Sequence, residues 1–209
     1  MNHVLLGRTG VRVSELCFGT MTFGGPADEE ESKRMFNRCL DVGINFFDCA
    51  NVYNGGVSEE ILGRLMKGKR DELVITSKVY GNMSGTLNGG GLNRRHIVRA
   101  VEDSLRRLDT DRLDLYFVHQ TDEDTPIEET VRALDDLVTA GKIVYPAVSN
   151  WASWRIMKAL GISEREMLAR FECIQPMYNL VKRQVEVEVL PLAQAEEIAG
   201  PLAFMMAPA

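Results

Sequence analysis

The feature that most restricts the fold of this chain is an alternation. Six times an apolar run carries a polar residue at or next to its end and is followed by a stretch of helical period. The runs are ELCFGT (15–20), INFFD (44–48), ELVITSK (72–78), RLDLYFVH (112–119), IVYPAVSN (143–150) and FECIQP (171–176). The helical stretches cover 28–43, 58–68, 93–109, 126–142, 151–160 and 183–199. Their ends carry ordinary start and stop signals: acids in the first turn of the first, Ser58, Asn93 as a cap, Pro126 at a first position and Gly141 near an end. The last stretch reads as a helix despite valines at period two. Ahead of the alternation, VLLGRTGVRV (4–13) reads as a small hairpin. Strand–helix alternation implies a parallel sheet with helical crossovers, either a (β/α) barrel or a doubly wound sheet. The first junction, GTMTFGG, contains neither a GxGxxG fingerprint nor a Walker-type phosphate loop.

Composition narrows the function. The chain has 209 residues, 45% hydrophobic and 26% charged, which suits one globular domain over 1–209. A net charge of −6 with no basic cluster argues against a nucleic-acid partner. No apolar run reaches the roughly 18 residues of a membrane span. The N-terminal MNHVLLGRTG lacks the pattern of a secretory signal. Cys17, Cys39, Cys49 and Cys173 fit no zinc or CxxC spacing, and His3, His96 and His119 are scattered. A reduced, cytoplasmic, metal-free protein is expected.

In parallel α/β folds, chemistry collects at the carboxyl ends of the strands. The residues there are Thr20, Asp48, Lys78, His119, Ser149 with Asn150, and Gln175. Each has a plain structural alternative. Asp48 and Asn150 could cap, Lys78 could be a solvated lysine, His119 a core histidine, and the nearby Tyr53 a loop aromatic. As a set they are harder to dismiss, because their chemistry fits together. A lysine beside a tyrosine lowers the phenol pKa, a carboxylate holds that lysine charged, and a histidine can orient a carbonyl oxygen. The set contains no evident covalent nucleophile. It suits proton delivery to a carbonyl during hydride transfer.

These motifs resemble the aldo-keto reductase family. The resemblance rests on LGRTGVRVSELCFGTMTFGG, GINFFDCANVYNGGVSEEILG, VITSKV, DLYFVHQTD with TPIEETVRALDDLVTAGKI, VSNW and QPMYNLVKRQVEVEVLPLAQAE, in the family's order and reaching about residue 195. It implies a (β/α)8 TIM-type barrel closed at its bottom by the hairpin. It implies Tyr53 as general acid, Lys78 and Asp48 as the groups that lower its pKa, and His119 as the residue orienting the substrate carbonyl. NADPH would supply the hydride, and the substrate would be a small aldehyde or ketone. Ser149, Asn150 and Gln175 would hold the nicotinamide carboxamide, and Gly19 and Thr20 would line the cofactor face, beside Asp48. Phe23, Tyr80 and Trp151 are candidates for the mouth, with core packing an equal alternative for each.

The pattern breaks after the sixth crossover. The family continues into a seventh strand with a Tyr-Ser-Pro-Leu type motif, of which only Pro201-Leu202 remains here. The expectation is an incomplete barrel of about six of eight units. Its two open strand edges invite a homo-oligomer or must be covered by the apolar tail AGPLAFMMAPA. Cofactor affinity is expected to be poor, because the segment that binds the adenosine phosphate is missing. Pro146 lies inside IVYPAVSN, where it is expected to weaken the fifth strand. The competing reading is a catalytically inactive barrel acting only as a structural or oligomerisation module. A metal-dependent barrel hydrolase lacks the clustered ligands it would need.

Overall fold

The computed structural model describes residues 1–200 together with the short strand Phe204–Met205. A hairpin of β1 (His3–Leu5) and β2 (Arg12–Ser14) leads the chain. There follow β3 (Cys17–Gly19), α1 (Glu29–Asp41), β4 (Phe46–Asp48), α2 (Val57–Leu65), β5 (Val74–Val79) and α3 (Arg94–Leu108). Then come β6 (Leu113–Val118), α4 (Ile127–Thr139), β7 (Ile143–Ser149), α5 (Ser153–Glu166), β8 (Cys173–Gln175), α6 (Val189–Ala195) and β9 (Phe204–Met205). The larger sheet is parallel, with the order β8-β7-β6-β5-β4-β3-β9. From β3 to β8 neighbours in space are neighbours in sequence. A doubly wound sheet would reverse its order at a switch point, so this is the arc of a (β/α) barrel. Among the described residues, no helix is long and apolar enough to cross a membrane.

Strand period explains the two cores. Alternate residues point to opposite faces. Phe18, Phe47, Ile75, Tyr116, Val118, Val148 and Ile174 face outward into the helix layer. Cys17, Phe46, Val74, Leu115, Phe117, Ala147 and Cys173 face the barrel interior, where Leu6 and Val13 of the hairpin region join them from below. The same period carries each interior row up to a polar residue at the strand's carboxyl end.

Helix ends follow the sequence signals. Asp28 caps α1 by accepting the Glu31 N–H at 2.9 Å, and Asn93 caps α3 by accepting the His96 N–H at 3.0 Å. Three helices differ from expectation. α2 (Val57–Leu65) starts one residue before Ser58 with Gly56 as its cap, so Ser58 does not open it, and the Ser58 hydroxyl donates to the Thr20 carbonyl at 2.8 Å. α5 passes Gly161 and ends at Glu166 instead of Leu160. The expected helix over 183–199 is instead a 3₁₀ turn, Gln184–Glu186, and the shorter α6. Val185, Val187 and Val189 are β-branched and disfavour helix. Pro191 is tolerated only because the helix starts at Val189, which puts it in the first turn.

Pro146 does not break the fifth barrel strand: β7 runs unbroken, with Pro146 opposite Tyr116. The Pro146 carbonyl accepts the Glu172 N–H at 3.0 Å. Its missing N–H faces the same edge, ahead of the start of β8 at Cys173, where no ladder partner is lost. The strand edges are also partly covered. Ala199 bridges Cys173 in parallel, its N–H donating to the Glu172 carbonyl at 3.0 Å and its carbonyl accepting the Ile174 N–H at 2.8 Å. β9 pairs with the other edge, Phe204 opposite Cys17. Chain beyond α6 therefore touches both edges. The expected Pro201-Leu202 motif lies outside the described residues.

Candidate active site

The interior rows end in one polar layer: Gly19, Asp48, Lys78, Ser149 and Gln175 at the tops of β3, β4, β5, β7 and β8. His119 follows β6 directly, its N–H donating to the Val79 carbonyl at 2.9 Å. Tyr53 comes from the loop after β4. That loop turns through Asn54, Gly55 and Gly56, all at positive φ, which the Asn-Gly-Gly run permits. The Asn54 amide then ties it to the β3–α1 loop, donating to the Met21 carbonyl at 2.9 Å and the Phe23 carbonyl at 2.8 Å.

At the centre lies a fully buried ion pair. Lys78 Nζ donates to Asp48 Oδ2 at 2.6 Å, to the Cys49 carbonyl at 2.7 Å and to the Tyr53 hydroxyl at 3.2 Å. Those three acceptors use all three ammonium protons. Asp48 Oδ1 accepts from Thr76 Oγ1 at 2.8 Å and from Gln175 Nε2 at 3.0 Å. The carboxylate is thus satisfied at both oxygens, as a buried charge requires. The Tyr53 and His119 rings meet edge to face, with centroids 6.3 Å apart.

Burial and charge set the protonation states. Burial disfavours the Lys78 ammonium, but Asp48 and then Tyr53 outweigh it and hold its pKa above the usual lysine value. Burial pushes the Tyr53 phenol up, and Lys78 opposes that push without reversing it. The expected lowering by Lys78 is therefore real but smaller than desolvation in this cleft. Asp48 acts directly on Tyr53 in the opposite direction to that expected, raising it. Burial, helped by the Lys78 charge, brings His119 down to about 4, so its imidazole is neutral near pH 7.

A cavity of about 440 Å³ opens over this layer. Gly19, Asp48, Tyr53, His119, Ser149, Asn150 and Gln175 all line it. Thr20 does not. It is fully buried behind the wall, where its Oγ1 donates to the Asp48 carbonyl at 3.0 Å and its own carbonyl accepts from Ser58 at 2.8 Å. Asn150 sits at φ 61°, a left-handed conformation that asparagine accepts, and its amide donates to the His119 carbonyl at 2.9 Å. Ser149 Oγ donates to the Gln175 carbonyl at 2.7 Å. The mouth differs from expectation. Phe23 and Trp151 are core residues and Tyr80 packs against that core, so none of the three lines the cavity. Met21, Thr22, Met177, Tyr178 and Asn179 take that place. Their only signal in the sequence is adjacency: they lie on the loops leaving the first and last barrel strands.

The residues fit the nicotinamide end of a dinucleotide. Asn150 and Gln175 engage their amide nitrogens within the protein, leaving Oδ1 and Oε1 to accept from a carboxamide. Among the described residues, no lysine or arginine lines the cavity to meet the phosphate end.

Residues 15–203 match the model of the Aldo/keto reductase family. The chain belongs to that family. It is 41% identical over 197 residues to a probable voltage-gated potassium channel subunit beta of Oryza sativa subsp. japonica, covering 92% of this chain and 60% of that protein. It is 40% identical over 205 residues to the uncharacterized oxidoreductase YrpG of Bacillus subtilis (strain 168), covering 93% and 63%. A probable voltage-gated potassium channel subunit beta of Arabidopsis thaliana gives 41% over 197 residues, 92% and 60%. This aldo/keto reductase chain therefore spans less than two thirds of the length of these relatives.

Proposed function

We propose that the protein reduces an aldehyde or ketone carbonyl to the alcohol, with NADPH as hydride donor and Tyr53 as general acid. One observation carries the reading: a single ammonium, Lys78, is shared between Asp48 and the Tyr53 hydroxyl at the wall of a cavity that also holds His119. Ser149, Asn150 and Gln175 would hold a reduced nicotinamide, which would supply the hydride for the carbonyl carbon. The chain's own residues handle the oxygen. Neutral His119 donates a hydrogen bond to it and fixes the carbonyl over the cavity floor. Tyr53, protonated at neutral pH, gives it a proton as negative charge develops. Lys78, held charged by Asp48, stabilises the phenolate that remains. General acid catalysis of this kind is worth about 10²–10⁴ in rate.

Burial of Tyr53 sharpens the role of Lys78. A phenol raised by desolvation is a reliable reservoir of the proton but a poor acid. The lysine is the group that offsets this as the proton leaves.

The test is an NADPH titration followed by nicotinamide fluorescence, then aldehyde reduction by wild type and Tyr53→Phe. Saturable binding with turnover lost in Tyr53→Phe is expected. No binding at millimolar NADPH would end this reading. It would favour the second, a non-catalytic subunit within an assembly, for which the relatives described as probable channel subunits provide the motive. A defined oligomer by light scattering, without cofactor binding, would be its signature.

A further inference from the structure

Asp48 has to do more than carry a charge. Lys78 reaches both Asp48 and Tyr53 only while the carboxylate presents Oδ2 toward it and keeps its other oxygen occupied. Strand period identifies what holds it. Thr76 and Lys78 are two residues apart on β5, so both point into the barrel, whereas Ser77 points outward and donates to Glu59 at 2.5 Å. Thr76 lies one layer below the ammonium, fully buried. Its Oγ1 accepts the Cys49 N–H at 3.3 Å and stands 2.8 Å from Asp48 Oδ1. An ionised carboxylate is acceptor-only, so the hydroxyl proton points at Asp48.

We propose that Thr76 is a positioning residue for the proton-delivery set: its hydroxyl clamps Asp48 between β4 and β5, so that Lys78 is shared with Tyr53 instead of being drawn wholly to the carboxylate. The clamp has two points on the neighbouring strand β4 and its exit, one on the Asp48 carboxylate and one on the backbone of the next residue, Cys49. Gln175 also holds Oδ1, at 3.0 Å from across the barrel. That residue lines the cavity and is among those assigned to the cofactor carboxamide. Thr76 does not line the cavity, so its grip on Asp48 persists whatever the cavity contains. The distances decide what its loss does. Lys78 lies closer to Asp48, 2.6 Å, than to Tyr53, 3.2 Å. A carboxylate free to turn takes the ammonium with it. The weaker Lys78–Tyr53 contact breaks, and the phenol loses its stabilising cation.

The inference rests on the reading of Tyr53 as the acid, but its test does not need turnover. Tyrosine labelled with ¹³C at Cζ is titrated by NMR in the ligand-free protein. The Tyr53 resonance is assigned by its loss in Tyr53→Phe. In Thr76→Val the Tyr53 midpoint is expected to rise by about half a pH unit or more, because a hydrogen-bonded cation is removed. Thr76→Ser, which keeps the hydroxyl, is expected to titrate as wild type. In the turnover arm, Thr76→Val lowers kcat roughly tenfold at unchanged NADPH Kd, and Thr76→Ser restores it. Circular dichroism establishes that each variant is folded, and Thr76→Ala replaces Thr76→Val if the valine does not pack. A folded Val or Ala variant whose Tyr53 titrates at the wild-type midpoint overturns the proposal. Full carbonyl reduction by Tyr53→Phe would instead overturn the functional reading and leave the titration to decide on Thr76.

Discussion

His119 should make the stability of this protein depend on pH in a way one substitution can remove. Burial and the Lys78 charge lower its pKa to about 4 in the folded protein, against about 6.5 in an unfolded chain. The unfolded state therefore binds a proton over that window and the folded state does not. Stability follows the difference in bound protons, so it rises with pH from about 4 to about 6.5 and is flat on either side. Between pH 7 and pH 5 the two pKa values give a difference of about 1.8 kcal/mol. His119 is half-buried, and screening at its exposed edge reduces this to about 1 kcal/mol. The assay is urea denaturation at pH 7 and pH 5 for wild type and His119→Gln. Other titrating groups contribute equally to both proteins, so the change in slope isolates His119. The variant is expected to lose about 1 kcal/mol less than wild type on going to pH 5. Equal losses in the two proteins, within about 0.3 kcal/mol, would show that His119 is not held neutral by this site.

The buried pair supplies a second expectation. Lys78→Met strands the Asp48 charge and should destabilise by about 3–5 kcal/mol, whereas Asp48→Asn with Lys78→Met should recover most of that loss; thermal melts of the single and double variants check it, and additive losses would refute it. Two glycines predict opposite signs. A Cβ at Gly63 would lie 2.6 Å from the Leu108 carbonyl oxygen, backbone that cannot yield, so Gly63→Ala should cost about 1–3 kcal/mol. A Cβ at Gly161, inside α5, would meet nothing within 4 Å, so Gly161→Ala should gain up to about 1 kcal/mol. Urea midpoints read both.

Strand periodicity made the architecture legible, because six apolar runs, each with a polar residue at or near its end and each followed by a helical stretch, fit successive strands of one parallel sheet. The resemblance added the order of those ends. What stayed hidden depended on context outside the local pattern. Thr76 in VITSK reads as an ordinary β-branched strand residue, and only the packing of β4 beside β5 brings its hydroxyl to Asp48. Thr20 ends its run as the other site residues do, yet the chain turns it behind the wall toward Ser58. Pro146 looks disruptive in one dimension, and its harmlessness follows from where β8 begins. The 183–199 stretch has helical composition, but valine crowding and Pro191 confine the helix to its second half.

The distribution of the site over the sheet bears on how the parts of the proposed reaction depend on one another. Asp48, Lys78 and His119 come from β4, β5 and the residue after β6, three adjacent strands, and Tyr53 from the loop between the first two. Hydrogen bonds within that block join Lys78 to Asp48 and to Tyr53, and Gln175 adds one to Asp48 from across the barrel. Ser149 and Gln175 extend the polar layer by two strands. Among the described residues, the cavity wall carries no lysine or arginine. On the proposed reading, proton delivery and cofactor grip rest on different strands. A Tyr53 whose titration responds to Thr76 in a chain that holds NADPH only weakly would be the direct sign of that separation.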